Sequence, residues 1–118
     1  MMQRFVVIDD AGFIRELLKN TLTELGYDFV GEASDGAEAM QIVSRSLPDI
    51  IFLDMVLPGE NGVAIAKNIL EIQPDAKIIA CTTLEKNIVE GALDNLGITR
   101  YLQKPFSKES LEKVLRDI

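Results

Sequence analysis

The sequence predicts an α/β protein built on one open, doubly wound, five-stranded parallel sheet, a three-layer (βα)5 arrangement. Three observations carry this. Short β-branched apolar runs alternate five times with segments whose apolar residues recur at helical spacing. The strand runs are continuously apolar, as suits strands covered on both faces. The 118 residues are enough for five βα units and only about half of what an eight-unit barrel needs.

The elements follow in order. "RFVVI", Arg4 to Ile8, is the first strand and leads into Asp9. Ile14, Leu17, Leu18, Leu22 and Leu25 then mark an inward helical stripe that Gly26 stops. Gly12 loosens the first turn of that helix. "YDFVGE", Tyr27 to Glu32, is a weaker second strand. Asp35 and Glu38 predict a capping box, with Ala39, Met40 and Val43 inward. Ile50 to Leu53 is the third strand and runs into Asp54. Val63 to Ile72 is helical and closed by Pro74, and "KIIAC", Lys77 to Cys81, is the fourth strand. Ile88, Val89, Ala92, Leu93 and Leu96 mark the next helix, ended by Gly97. "TRYL", Thr99 to Leu102, is the fifth strand, and Ser107 caps a last helix with Leu111, Val114, Leu115 and Ile118 inward.

Composition narrows the function. Residues 1–118 read as a single domain, since one core suffices at this length. Twelve basic and 19 acidic residues give a net charge of -7, which argues against direct contact with nucleic acid. The acidity suits a divalent cation or a basic protein partner. One cysteine and no signal peptide point to the cytoplasm. No apolar run is long enough to cross a membrane. The absence of histidine removes His-based triads, His-ligated zinc and any phosphohistidine of the chain's own.

A buried strand that ends in a carboxylate needs a reason. Ligands of open α/β sheets sit beyond the carboxyl ends of the strands, where the strand order reverses. With the order 2-1-3-4-5, strands 1 and 3 are neighbours at that reversal, so Asp9, Asp10 and Asp54 share one crevice. Thr82 and Thr83 end strand 4 and Lys104 follows strand 5, on the same edge. Crowded carboxylates repel and raise one another's pKa unless something positive sits among them. Oxygen ligands alone point to a hard cation, Mg2+ before zinc. Lys104 and Thr82 suit phosphoryl oxygens, and Asp54 on its rigid strand suits a nucleophile that forms an aspartyl-phosphate.

These residues carry a resemblance. "IDDAGFIR", "LDMVLPGENG", "CTT" and "LQKPF", in order and each at a strand end, resemble the receiver domain of two-component response regulators, within it the stand-alone CheY-like type. The resemblance spans Arg4 to Ile118, and the intervals from Asp10 to Asp54 and from Thr82 to Lys104 are typical of the family. CheY is itself a reference case for the order 2-1-3-4-5, so that order is borrowed from the architecture rather than derived. The resemblance implies Asp54 as phosphoacceptor, with Mg2+ held by Asp10, Asp54 and the Val56 carbonyl and by Asp9 largely through water. It implies Thr82 and Lys104 as phosphoryl-binding groups, Thr82, Thr83 and Tyr101 as switch positions, and a cis bond before Pro105. It implies a sensor histidine kinase as donor and a downstream protein target on the last two helices and strand 5, Glu85 to Ile118. The state expected is a monomer or weak dimer in chemotaxis or motility signalling. The chain is expected not to be an enzyme, beyond catalysing its own phosphoryl transfer and slow autodephosphorylation.

The chain departs from the family at three positions. Thr83 stands where a small residue is usual and narrows access to the acceptor. Val56 and Leu84 are apolar at positions that tune hydrolysis, which predicts a long-lived phosphorylated state.

Other readings stay open. Asp9 and Asp10 also read as a helix-start cap pair, and Asp54 as a turn-starting acid. Thr82 also reads as a plain strand residue and Tyr101 as an ordinary half-buried aromatic. Cys81 reads as core and Phe106 as packing beneath its loop, while Phe13 and Ile14 offer kinase contacts that compete, for Ile14, with the core. At the level of the whole chain, an excised receiver domain, a phosphorelay intermediate and an unphosphorylated scaffold also fit. An aspartyl phosphatase is disfavoured because its D-x-D-x-T/V pattern is missing. A flavin carrier is disfavoured because "DDAGF" is no phosphate-binding loop.

Overall fold

The computed structural model describes residues 2–83 and 86–118, with the backbone alone over 86–89. The elements are β1 (Arg4–Ile8), α1 (Gly12–Glu24), β2 (Asp28–Ala33), α2 (Gly36–Ser46), β3 (Ile50–Asp54), α3 (Gly62–Ile72), β4 (Lys77–Thr82), α4 (Lys86–Asp94), β5 (Arg100–Gln103) and α5 (Lys108–Val114). The sheet order is β2-β1-β3-β4-β5, and every pairing is parallel. No helix among the described residues is long and apolar enough to cross a membrane.

Strand parity divides the core. Phe5, Val7, Ile50, Phe52, Ile79, Cys81 and Leu102 face one layer, where Leu18 and Leu22 of α1 and Leu111 of α5 cover them. Val6, Ile8, Ile51, Leu53, Ile78 and Ala80 face the other, beneath Ala39 and Val43 of α2, Ile65 and Ile69 of α3 and Leu93 of α4. Each strand thus feeds both layers, which is why its sequence is continuously apolar. The same alternation puts Asp9 and Asp54, each one residue past a β1 or β3 core position, on the α1–α5 side of the carboxyl edge.

The ends of the elements depart slightly from the sequence reading. β2 runs from Asp28 to Ala33, because Tyr27 is taken up by the turn, donating its N–H to the Leu22 carbonyl. β5 starts at Arg100 and continues through Gln103, whose neighbour Lys104 donates its N–H to the Thr82 carbonyl. Leu17 is 45% exposed, on the flank of a stripe that buries Leu18 and Leu22. Ala92 is exposed while Leu93 is buried. Ile88 and Val89 have side chains outside the described set, and Leu84 and Glu85 lie outside the described residues.

The helix starts are also specific. Asp35 accepts the Glu38 N–H at 2.8 Å, as a cap should. Glu38, however, returns its carboxylate to the Ser34 N–H and hydroxyl, so the reciprocal half of the box falls one residue earlier. Those bonds hold the Glu38 carboxyl below its ordinary range. Ser107 and Ser110 form a reciprocal capping box at α5. Gly26 and Gly97 take positive φ values of 95° and 78° at the ends of their helices, where a side chain would be strained.

Candidate phosphoryl and metal site at the carboxyl edge

Four elements deliver the site. Asp9 and Asp10 follow β1, Asp54 is the last residue of β3, Thr82 the last of β4, and Lys104 follows β5. The register aligns Ile8 with Leu53 and Asp54 with Cys81, so the strands end together at one edge. Ligand oxygens of Asp9, Asp10 and Asp54 all lie within 4.8 Å of one another. Asp9 and Asp54 are buried, Asp10 is exposed.

Lys104 reaches into this group. Its Nζ donates to Asp9 Oδ2 at 2.5 Å and lies 3.3 Å from Asp54 Oδ2. The other Asp9 oxygen accepts the Ala11 N–H at 2.9 Å. Asp54 Oδ1 accepts the Val56 N–H at 2.9 Å. Neither Asp9 nor Asp10 caps α1, whose N-cap is Ala11 without a side-chain bond. The Lys104–Pro105 peptide bond is cis.

Charge and burial pull in opposite directions here. Burial pushes the Asp54 carboxyl above its usual range; the Val56 N–H resists this, the Asp9 charge adds to it, and Lys104 opposes it. Burial would lower Lys104, but its bond to Asp9 and the charges of Asp54 and Asp9 outweigh that and raise it. One ammonium does not balance three carboxylates. An octahedral hard cation with bonds of about 2.1 Å spans about 4.2 Å between opposite oxygens. Carboxylate oxygens gathered within 4.8 Å of one another are on the scale of such an ion, and the donors are oxygens alone. Cys81 lies beside them but is buried in β4, and burial drives its thiol pKa far up, so it offers no thiolate.

The other predicted residues divide between the two layers of the core and the surface. Thr82 is 2% exposed, while Thr83 is exposed at the strand end. Tyr101 is half-buried against the α2–α3–α4 layer with its hydroxyl out of solvent. Burial, then the charges of Asp94 and Glu90, raise its phenol pKa. Phe106 packs against the α1–α5 layer, and so does Ile14, whereas Phe13 is 74% exposed.

Sequence reading missed two supports. Arg15 donates from Nη1 to the Asp9 carbonyl at 2.6 Å and from Nε to Glu32 at 2.7 Å, tying α1 and β2 to the acidic corner. Glu60 accepts the Gly36 N–H. Arg15 stood at the end of "IDDAGFIR" as a visible cation near the acids; Glu60 had no comparable signal.

This parallel sheet, with acids and a lysine gathered at its carboxyl edge, defines a class, and the chain belongs to it: the model of the response regulator receiver domain family matches residues 5–116. The chain is 33% identical over 118 residues to the chemotaxis protein CheY of Thermotoga maritima, covering 100% of this chain and 98% of that one. It is 37% identical over 117 residues to protein CcdB of Bacillus subtilis, covering 98% and 97%. The solved chemotaxis protein CheY4 of Vibrio cholerae matches with a TM-score of 0.89 at 28% identity, covering 98% of each chain.

Proposed function

We propose that this receiver domain is a phosphorylation switch that accepts a phosphoryl group on Asp54 from a sensor histidine kinase. The observation that supports it best is the convergence of Asp9, Asp10, Asp54 and Lys104 on one sheet edge. The chain has no histidine, so the phosphohistidine belongs to the partner. A carboxylate oxygen of Asp54 attacks phosphorus in line. The bond to the donor imidazole nitrogen breaks, and that nitrogen leaves with the electron pair. Lys104 pairs with the phosphoryl oxygens, and the Val56 N–H steadies the attacking carboxylate. When bound, Mg2+ on Asp10, Asp54 and the Val56 carbonyl, with Asp9 through water, supplies positive charge to those oxygens.

The transferred group brings about −1.5 to −2 charges to a buried corner. Thr82 turns its hydroxyl toward that charge, the strand end carrying Thr83 follows, and Tyr101 on the neighbouring strand repacks. The α4–β5–α5 face then favours a different protein partner, a shift between two existing conformations. The chain's output is binding; its only chemistry is its own phosphoryl transfer and slow hydrolysis. The CheY relatives favour chemotaxis-type signalling, and a single buried cysteine favours a reducing, cytoplasmic setting.

Amide NMR spectra with and without Mg2+ and beryllofluoride, a stable phosphoryl mimic, test the switch. Shifts that begin at Asp54 and extend through Thr82 to Tyr101 and α5 are expected. Shifts confined to the acidic crevice would contradict it.

A further inference from the structure

The loop after Asp54 is tied to a different βα unit through one carboxylate. Glu60 receives the Gly36 N–H at 2.9 Å on Oε1 and 3.2 Å on Oε2. Gly36 is the first residue of α2, and its N–H is among those a helix leaves without an internal partner. The positive end of the helix dipole adds to the attraction. The approach is close: a Cβ on Gly36 would stand 2.4 Å from Glu60 Oε1. Position 36 therefore admits the carboxylate because it lacks a side chain.

Glu60 has no bond to Asp54, but it governs the main chain that does. Its own N–H donates to the Leu57 carbonyl at 3.0 Å, closing the turn, and Leu57 is buried. Val56, the residue before Leu57, donates its N–H to Asp54 Oδ1. Beyond the turn, Asn61 caps α3 by accepting the Val63 and Ala64 N–H groups. The segment from Val56 to Glu60 hangs between these anchors, and Glu60 is its cross-link to α2.

We propose that Glu60 is a positioning residue that holds the Leu57–Glu60 turn on α2 and so presets the Val56 main chain around Asp54. The inference rests on reading Asp54 as phosphoacceptor beside a Mg2+ site. Without the cross-link, the Val56 N–H and carbonyl lose their placement before any chemistry begins. The loss then falls on magnesium affinity, while the fold and the strand ends stay as they are.

Calorimetric titration of MgCl2 into the unphosphorylated chain tests this, with Glu60→Ala, Glu60→Gln, Gly36→Ala and Asp35→Ala beside wild type. Gly36→Ala expels the carboxylate from the opposite side of the bond. Asp35→Ala removes the other cap of the same helix without touching Glu60. Expected is a loss of roughly tenfold for Glu60→Ala and for Gly36→Ala, as for outer-shell partners of a metal. The Glu60→Ala/Gly36→Ala double variant is no weaker than either alone, since both remove one contact. Glu60→Gln, which keeps an acceptor oxygen, stays near wild type, as does Asp35→Ala. Unchanged affinity in Glu60→Ala, or an equal loss in Asp35→Ala, overturns the positioning role while wild type still binds. A wild-type chain that binds no magnesium overturns the metal-assisted reading itself, and this inference with it.

Discussion

Lys104 Nζ and Asp9 Oδ2 stand 2.5 Å apart at the carboxyl edge, joining the loops that follow the first and last strands. The pair commits Asp9: one oxygen faces Lys104 and the other the Ala11 N–H. Asp54 is held in the same way, with one oxygen on the Val56 N–H and the other 3.3 Å from Lys104 Nζ, so both buried acids share the lysine while Asp10 stands exposed beside them. Lys104 therefore supports the resting crevice, in addition to the phosphoryl contact proposed for it.

Replacing Lys104 with Met should therefore destabilise the magnesium-free protein. Breaking a fully buried ion pair costs about 3–5 kcal/mol; here the crevice opens to water at Asp10, so about 2 kcal/mol is expected. Denaturant unfolding in chelator measures it. Magnesium should recover more stability in Lys104→Met than in wild type, because the added cation replaces the missing charge.

The raised Asp54 pKa gives a pH prediction. A carboxyl whose folded pKa lies above its unfolded value binds its proton more tightly in the folded state. Ionising it costs stability as pH rises from the unfolded pKa through the folded one. Asp54→Asn should accordingly be more stable than wild type at pH 7 without magnesium. The gap should shrink as pH falls through the folded-state pKa toward 3.8, the unperturbed value. Paired melts at neutral and mildly acidic pH give the sign; a gap that widens on acidification would be the wrong one.

Magnesium should raise the melting temperature of wild type in a saturable way. At one hundred times the dissociation constant, a ligand of the folded state alone contributes about 2.7 kcal/mol. Asp10→Asn should lose most of that shift while keeping its fold, since Asp10 is exposed and holds up nothing else in the core.

Phosphoryl lifetime should respond to Val56. The residue is 50% exposed, two positions from Asp54, and has no group to orient an attacking water. Val56→Asn should shorten the decay of the phosphorylated state severalfold in magnesium. A wild-type decay complete within seconds would contradict the long lifetime expected of an apolar residue there.

Much of this was legible because each signal was local. Asp54, Thr82 and Lys104 announce themselves by ending or following apolar strands, and parallel strands in register end together. Leu17 was misread as part of the inward stripe because a helix buries a stripe of limited width. Leu18, one residue on, takes the centre of the stripe and turns Leu17 to solvent. The Asp35–Glu38 spacing was read correctly as a helix start, but the Ser34 hydroxyl offered Glu38 a second donor and drew its carboxylate one residue back. The Glu60–Gly36 bond joins two loops that only the folded sheet brings together, so no periodicity or cap pattern announces it.

The switch proposed for this chain requires that Asp54 accept a phosphoryl group. Intact-mass spectrometry after incubation with a small acyl phosphate, with and without magnesium, on wild type and Asp54→Asn, tests it most directly. One phosphoryl added to wild type only with magnesium, and none on Asp54→Asn, is the predicted result. Equal labelling of the two proteins, or no adduct on wild type together with no response to beryllofluoride, would contradict it.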